Sequence, residues 1–513
     1  MSHFSRRFVL PIALFAGVLA ARPLFAQSKD AVLENAEGTL TLALTETADT
    51  AISRARNGAQ VFSALRMSRD PSILPLFDRL RLSKIPENQA YGMVSYALIT
   101  RDPSKLDMKA LIDIGDPSLI GSALAALIDA DVISNDQLQK IVNDAPEAIH
   151  RAMAAGELNR RKALKDRAPL KSLLSNSKEI VRHYAAITLL QQKDEAENTA
   201  ALAALNEMAA GHDLRIAPIQ GILLLKVEKD EIPLAAPWVT LLAADEKNDE
   251  GLRQTAISTL LAIKGADAPR IFSELVAQQK DSVQQIKLGL IALEHADRLK
   301  PDQIAPLAKS KSPLARTIAG IAQRAAEGND ITSDLIKLIK EGQPLVMNWS
   351  LAYSDHSDPE RRLAIRTTLI SMAAIIDDIR GPDFDRAALA AEKILDDKSP
   401  AARPALATLL KSNNPAAVEA VLAGMIRSNS DQSSELILPI WDSVSKSIAT
   451  ETSANYAAII LAREGRKEPI AWLSGMVQGG KVQNVGFRAL AGWQYAKLTG
   501  QSDALLKRVL EKK

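Results

Sequence analysis

An all-α solenoid of stacked, antiparallel helix pairs is the fold class this sequence predicts, and three observations predict it. The chain has 513 residues, more than one ordinary compact core encloses. Hydrophobic residues make up 47% of it and aromatic residues only 4%. That Ala/Leu-rich balance suits close-packed helices and lacks the β-branched and aromatic side chains that sheets draw on. Finally, a basic residue followed by an apolar helical stripe recurs along the chain at a spacing that fits two helices.

Residues 1–26 have the layout of a secretory leader. MSHFSRRF is positively charged, Val9 to Ala21 is apolar, and the small residue Ala26 precedes Gln27. The apolar run is short for a bilayer span, although an uncleaved anchor is the competing reading. Ser5-Arg6-Arg7 resembles the twin-arginine export motif, which Phe8-Val9-Leu10 continues only in part, so the general secretory route is the other option. The expectation is a chain cleaved after Ala26 and exported to a periplasm or the extracellular space. No later segment offers about 18 uninterrupted apolar residues, so no membrane insertion is expected after cleavage.

The formal charge is +2, from 63 basic and 61 acidic residues. Loss of Arg6, Arg7 and Arg22 with the leader would bring it to −1. The two signs are mixed along the chain, whereas a nucleic-acid partner calls for a concentrated basic patch. No nucleic acid is expected. The absence of cysteine excludes disulfides, thiol catalysis, cysteinyl zinc sites and a lipid-modified cysteine.

The repeat is sharpest between Arg182 and Arg316. Arg182 leads Ala185, Ala186, Leu189 and Leu190; Arg215 leads Pro218, Ile219, Ile222 and Leu223; Arg253 leads Ala256, Ile257, Leu260 and Leu261. Offsets of +3, +4, +7 and +8 form one stripe of an α-helix. Lys287 and Arg316 continue the series, and Arg366, Arg403 and Arg488 stand in looser copies. A second amphipathic helix fits between successive copies, at 199–211, 237–245 and 269–278. Asp-Pro-Ser recurs at 70–72, 102–104 and 116–118, and Ser312-Pro313, Asp358-Pro359 and Ser399-Pro400 repeat this punctuation. An Asp or Ser oxygen before a Pro suits a helix start.

On these residues, and above all on Lys311-Ser312-Pro313-Leu314-Ala315-Arg316 and Lys398-Ser399-Pro400-Ala401-Ala402-Arg403, the chain resembles the HEAT-repeat family over roughly residues 58–510. The resemblance implies a right-handed solenoid that acts through protein partners. Tetratricopeptide repeats have a similar period, but their Trp…Leu-Gly…Tyr pattern does not recur at a regular spacing. The expected organisation is a leader (1–26), an N-terminal helical cap (27–57), a HEAT-like array (58–341), an irregular hinge (342–362) and a second array with a C-terminal cap (363–513). Asn429 to Ser434 reads as a polar loop.

Candidate chemistry is sparse. The ladder of Arg182, Arg215, Arg253, Lys287 and Arg316 reads either as a displayed basic stripe or as side chains that bind turn carbonyls and neighbouring acids; recurrence at one register favours the second. Gly475 to Val482 has the spacing of a phosphate-binding loop, but Val482 stands where a hydroxyl must reach magnesium. The six histidines, at 3, 150, 183, 212, 295 and 356, fit no zinc spacing. Asp355-His356-Ser357-Asp358 has metal-ligand chemistry, yet a helix cap explains it equally well. The acidic stretches at Asp377-Asp378, Asp383-Phe384-Asp385 and Asp396-Asp397 fit calcium poorly. Ser175-x-x-Lys178 and Ser443-x-x-Lys446 lack the companion motifs of acyl-transfer enzymes. No residue is assigned a catalytic, cofactor-binding or metal-binding role, and the partner-binding residues are unassigned.

Two functions of different class fit these observations. One is a non-catalytic exported scaffold that binds a protein or peptide on the curved surface of the array. The other is an exported helical enzyme or binding module for cell-wall or other carbohydrate. It would use the aromatics enriched in the last third, namely Trp349, Tyr353, Trp441, Tyr456, Trp472, Trp493 and Tyr495. Aromatics converging with two carboxylates in one groove would mark the second; aromatics packed separately between helices would mark the first.

Overall fold

The computed structural model describes residues 29–44, 60–66, 68, 70–190, 195–211, 215–224, 233–376, 379–397, 399–428, 433–446, 451–478 and 485–511. The leader, His212, most of the 429–434 loop and residues 479–482 lie outside them. The described chain is all-α, a solenoid of helix pairs, apart from a two-residue ladder of β1 (Ile375–Ile376) with β2 (Ile379–Arg380). It divides into two compact units, one of residues 108–338 and one that joins the residues up to Asp107 to Ile339–Lys513.

The first unit comprises α5 (Met108–Asp113), α6 (Pro117–Asp129), α7 (Asn135–Asp144), α8 (Ala148–Arg160), α9 (Ala168–Leu173), α10 (Glu179–Leu190), α11 (Glu195–Ala210) and α12 (Ala217–Leu224). It continues with α13 (Ala236–Ala244), α14 (Glu250–Ala262), α15 (Ala268–Gln278), α16 (Ser282–Glu294), the short α17 (Pro301–Ile304), α18 (Pro313–Ala326) and α19 (Thr332–Lys340). The expected second helices at 199–211, 237–245 and 269–278 are α11, α13 and α15. Helices α10, α12, α14, α16 and α18 pack along one row, and α11, α13, α15 and α17 along the other.

Helix α18 shows how the sequence builds one such element. The Ser312 hydroxyl accepts the Ala315 N–H at 3.3 Å and Pro313 takes the first helical position, so the free donors of the first turn are reduced from both sides. Ala315, Ile318, Ala319 and Ala322 then form the buried stripe. Asp116 and Asp358 cap α6 and α21 in the same way. Ser399-Pro400 does not: α23 starts two residues later, at Ala402, behind Ala401.

The second unit contains α1 (Lys29–Leu44), α2 (60–66), α3 (Leu74–Arg81) and α4 (Pro86–Thr100), followed by α20 (Pro344–Ser354), α21 (Pro359–Ser371), α22 (Pro382–Leu395), α23 (Ala402–Leu410) and α24 (Pro415–Arg427). Its last helices are α25 (Ser434–Ser445), α26 (Glu451–Arg463), α27 (Ile470–Gln478), α28 (Val485–Leu498) and α29 (Ser502–Glu511). Two expectations are corrected here. Residues 342–362 are not irregular, because α20 and the first turn of α21 occupy them. The expected array of 58–341 divides between the two units, with 108–338 in the first and the described residues of 60–107 in the second. The latter group with the C-terminal helices, and Asp70 on that segment accepts a hydrogen bond from Trp493.

In this unit α22, α24, α26 and α28 form one row and α21, α23 and α25 the other. Arg403, on α23, is therefore in the opposite row from Arg488, on α28, so they do not belong to a single ladder. The even-numbered row is the buried one. Every residue from Ala416 to Ile426 of α24 and from Phe487 to Ala496 except Arg488 in α28 is buried. Solvent-facing side chains are carried mainly by the odd-numbered helices.

Candidate functional site

Three arginines of the ladder are bonded into the frame. Arg182 donates to the Asn176 carbonyl at 2.8 Å, and Arg316 to those of Ser310 at 2.7 Å and Lys311 at 3.1 Å. Arg253, buried, reaches the Ala243 carbonyl at the end of α13 at 3.2 Å. Each stands at the fourth residue of its helix, close enough to reach back over the preceding turn. In α16 that position belongs to Gln285, whose amide donates to the Gln279 carbonyl at 2.9 Å. Lys287 lies two residues beyond that register. In α21 the position belongs to Arg362, which donates to the Ser357 carbonyl at 2.9 Å. Arg215 is exposed in the turn ahead of α12.

Arg366 has a different environment. It is buried, and its guanidinium donates to the Ser354 hydroxyl at 3.1 Å, the Lys393 carbonyl at 3.1 Å and Asp355 at 2.9 Å. Lys393 also pairs with Asp355, and Arg362 with Asp397 at 3.3 Å. The hydrogen bonds and charges of Lys393 and Arg366 hold the Asp355 carboxyl below its ordinary range despite burial. Asp358 caps α21 and the Ser357 hydroxyl donates to the Tyr353 carbonyl at 3.0 Å. The Asp355–Asp358 stretch thus takes part in a cap and an ion-pair network. A cavity of about 250 Å³ next to it is lined by Asp397, Ser399, Arg403 and Leu406 among others.

The remaining candidates separate. Asp383 pairs with Arg386 at 2.7 Å and Asp396 accepts the Ser428 hydroxyl at 2.8 Å; residues 377–378 lie outside the described chain. Lys178 pairs with Glu147 at 2.9 Å, whereas the Ser175 hydroxyl turns to the Ser172 carbonyl. Gly475 lies within helix α27, which stands in place of the strand that a phosphate loop follows. His183 is fully buried. It donates through Nδ1 to the Glu179 carbonyl at 3.0 Å and packs on Trp238, and burial pushes its pKa down to about 4. His150 and His295 contact the Pro117 carbonyl and the Ser258 hydroxyl. Among the described residues no group of three or more acidic or histidine side chains is placed to hold a metal ion.

The late aromatics fall into separate contacts. Trp349 stacks on Tyr353 within α20, Trp441 meets Trp472 edge-on, and Tyr456 meets Phe487. Burial pushes the Tyr456 phenol up to about 12. Trp493 is fully buried and donates to Asp70 at 3.1 Å. Glu419, on the buried helix α24, is paired with Arg380 from β2, and burial outweighs that pairing in setting its pKa, which is raised.

One surface feature was not singled out from the sequence. Leu234, in the turn before α13, and Leu241 are 47% and 44% exposed, and with the exposed Pro237 and Ala244 they form an outward strip that runs on along α13 and carries no charge. The neighbouring odd-numbered helices differ. The outward side of α11 includes Glu195, Thr199 and Glu207, and that of α15 includes Arg270, Glu274 and Gln278. The signal was legible: α13 has no charged residue, and its apolar residues exceed one helical stripe.

No family model matches the chain, and no curated protein does. Among solved structures it is similar to Kap121p bound to RanGTP, with a TM-score of 0.34 at 13% identity over 95% of this chain and 55% of that one. It is also similar to the karyopherin Kap121p bound to the SUMO protease Ulp1p, at 0.31 and 12% over 94% and 53%. An engineered protein gives 0.18 and 14% over 89% and 98%. The chain spans about half the length of the karyopherin chains it matches. Nothing about partners or activity follows from scores this low, and the fold assignment stands on the helices themselves. No described helix is long and apolar enough to cross a membrane.

Proposed function

We propose that this chain is an exported, non-catalytic scaffold that binds a protein or peptide through the odd-numbered helices of its repeats. The charge-free strip of α13 carries the reading. Large apolar side chains that stay exposed in register between two charged neighbours are a liability unless a partner covers them. Arg182, Arg253 and Arg316 of the ladder, by contrast, are occupied with carbonyls of the frame. Residues 1–26 support export, because a positive segment, a short apolar run and a small residue in that order form an address.

The test compares wild type, the Leu234→Ser/Leu241→Ser double variant and Glu274→Ser on neighbouring α15, each immobilised and exposed to envelope extract. A protein retained by wild type and Glu274→Ser, and reduced about tenfold or more by the double variant, is the expected result. Equal retention by all three would sink the α13 strip as the binding surface. N-terminal sequencing of the protein from a periplasmic fraction should begin near Gln27; an intact Met1 on a cytoplasmic product would overturn export.

A further inference from the structure

The exposed strip at α13 has a period as well as a composition. Leu234, Pro237, Leu241 and Ala244 follow one another at steps of three, four and three residues, the spacing of one helix face. The two leucines stand seven residues apart, about 11 Å along the axis. A second helix crossing at a shallow angle repeats its own side chains at that interval. An extended chain repeats a face every ~6.7 Å and falls out of step with them. The smaller Pro237 and Ala244 alternate with the leucines, which leaves room for larger side chains from outside. Charge borders the strip on one sign. On neighbouring α11, Glu195, Thr199, Ala203 and Glu207 are exposed at intervals of four, and neither glutamate is ion-paired among the described residues. Glu197 of the same helix is buried against Arg167 and Lys171. Neither α11 nor α13 carries a cation. The one cation of α15, Arg270, is held by Glu274 at 2.7 Å and Asp267 at 3.4 Å.

We propose that the occupant of this strip is a basic amphipathic helix of the partner, its apolar face along Leu234 and Leu241 and its Lys/Arg flank toward α11. The proposal rests on the reading of the strip as a binding surface and adds the shape and charge of what binds. The period selects a helix over an extended segment. The charge selects its sign: Glu195 and Glu207 lie twelve residues apart, about 18 Å along α11, so basic residues three turns apart on one flank would meet both. Complementary rim charges of this kind set orientation and choice of partner. The same glutamates repel an anionic lipid surface, the other occupant that an apolar strip could take.

Two synthetic helices of about fifteen residues test this. They share leucines at i, i+3 and i+7 and differ in one flank, which is lysine in the first and glutamate in the second. Binding of each to the full chain is read by fluorescence anisotropy. The lysine peptide should bind about tenfold more tightly than the glutamate peptide, with the gap closing at high salt. Glu195→Lys/Glu207→Lys should reverse that preference, and Leu241→Ser should weaken both peptides about tenfold. All three positions are exposed, and circular dichroism checks that the variants keep their helix. Equal affinity for the two peptides would overturn the basic helix, as would a preference unmoved by the charge reversal. So would equal binding of a lysine peptide with scrambled leucines, or tighter binding to anionic vesicles than to the lysine peptide. In each of these cases an envelope protein lost from Leu234→Ser/Leu241→Ser would still leave the strip as a binding surface. Undiminished binding of the lysine peptide by that double variant would remove the strip itself.

Discussion

Arg316 in the first unit and Arg366 in the second stand in copies of one sequence pattern, yet they hold the chain together in different ways. Arg316 binds carbonyls five and six residues before it, at the edge of solvent. Arg366 is buried and joins the end of α20 to the end of α22, through Asp355 on one side and the Lys393 carbonyl 27 residues away on the other. The first bond recurs in α10, α16, α18 and α21, where the fourth residue of the helix reaches a carbonyl of the turn five or six residues before it. The second depends on a particular arrangement of three helices. A repeat is regular where its polar side chains are satisfied locally, and individual where they reach across repeats.

The largest effect expected on the regular side comes from Ile257→Asp, which puts a carboxylate into a fully buried position of α14. Loss of about 4 kcal/mol or more is expected in urea unfolding. A native midpoint would show that the stripe is in the wrong register. On the individual side, Arg366→Ala removes the buried guanidinium from Asp355 and Asp397, and should cost about 3 kcal/mol. If it costs no more than Arg316→Ala, the contrast between the two units fails.

His183 adds a pH dependence to the first unit. Its folded pKa, about 4, lies below the ordinary value of 6.5, so below pH 6.5 the unfolded chain takes up the proton first. Stability present above that pH should fall as pH drops toward 4, by about 3 kcal/mol in all. His183→Phe should flatten that part of the wild-type profile between pH 7 and 4.5; an unchanged slope would count against it. The smallest effect is expected from Arg316→Ala, about 1 kcal/mol for its carbonyl bonds at a partly exposed site. Arg316→Gln should recover part of that loss, because Gln285 makes the equivalent bond in α16.

The paired helices, their Asp and Ser caps and the structural use of the arginines were legible because each rests on offsets of a few residues. Lys287 was misplaced because the stripe was followed by charge, whereas the structure selects for reach to a turn carbonyl, which Gln285 has. The α20 helix was hidden by its mixture of Asn, Trp, Ser and Tyr, residues whose weak helix propensity is overridden by burial of Val346, Met347 and Leu351. Arg366, Glu419 and Asp70 were not legible as buried groups, since their ion-pair partners lie 11 to 427 residues away. The α13 strip is legible in composition, but an apolar helix read from sequence signifies core before it signifies surface.

The contact of Asp70 with α28 also bears on how fast the molecule assembles. A pairing across 423 residues cannot form until Trp493 has been made, whereas each helix pair of the first unit closes over roughly thirty residues. Folding rates fall as the mean sequence separation of contacts rises. Refolding should therefore show a rapid gain of helix, followed by a slower phase in which Trp493 leaves water. A ribosome-bound chain lacking its last residues would hold finished repeats but an α1 with nowhere to dock.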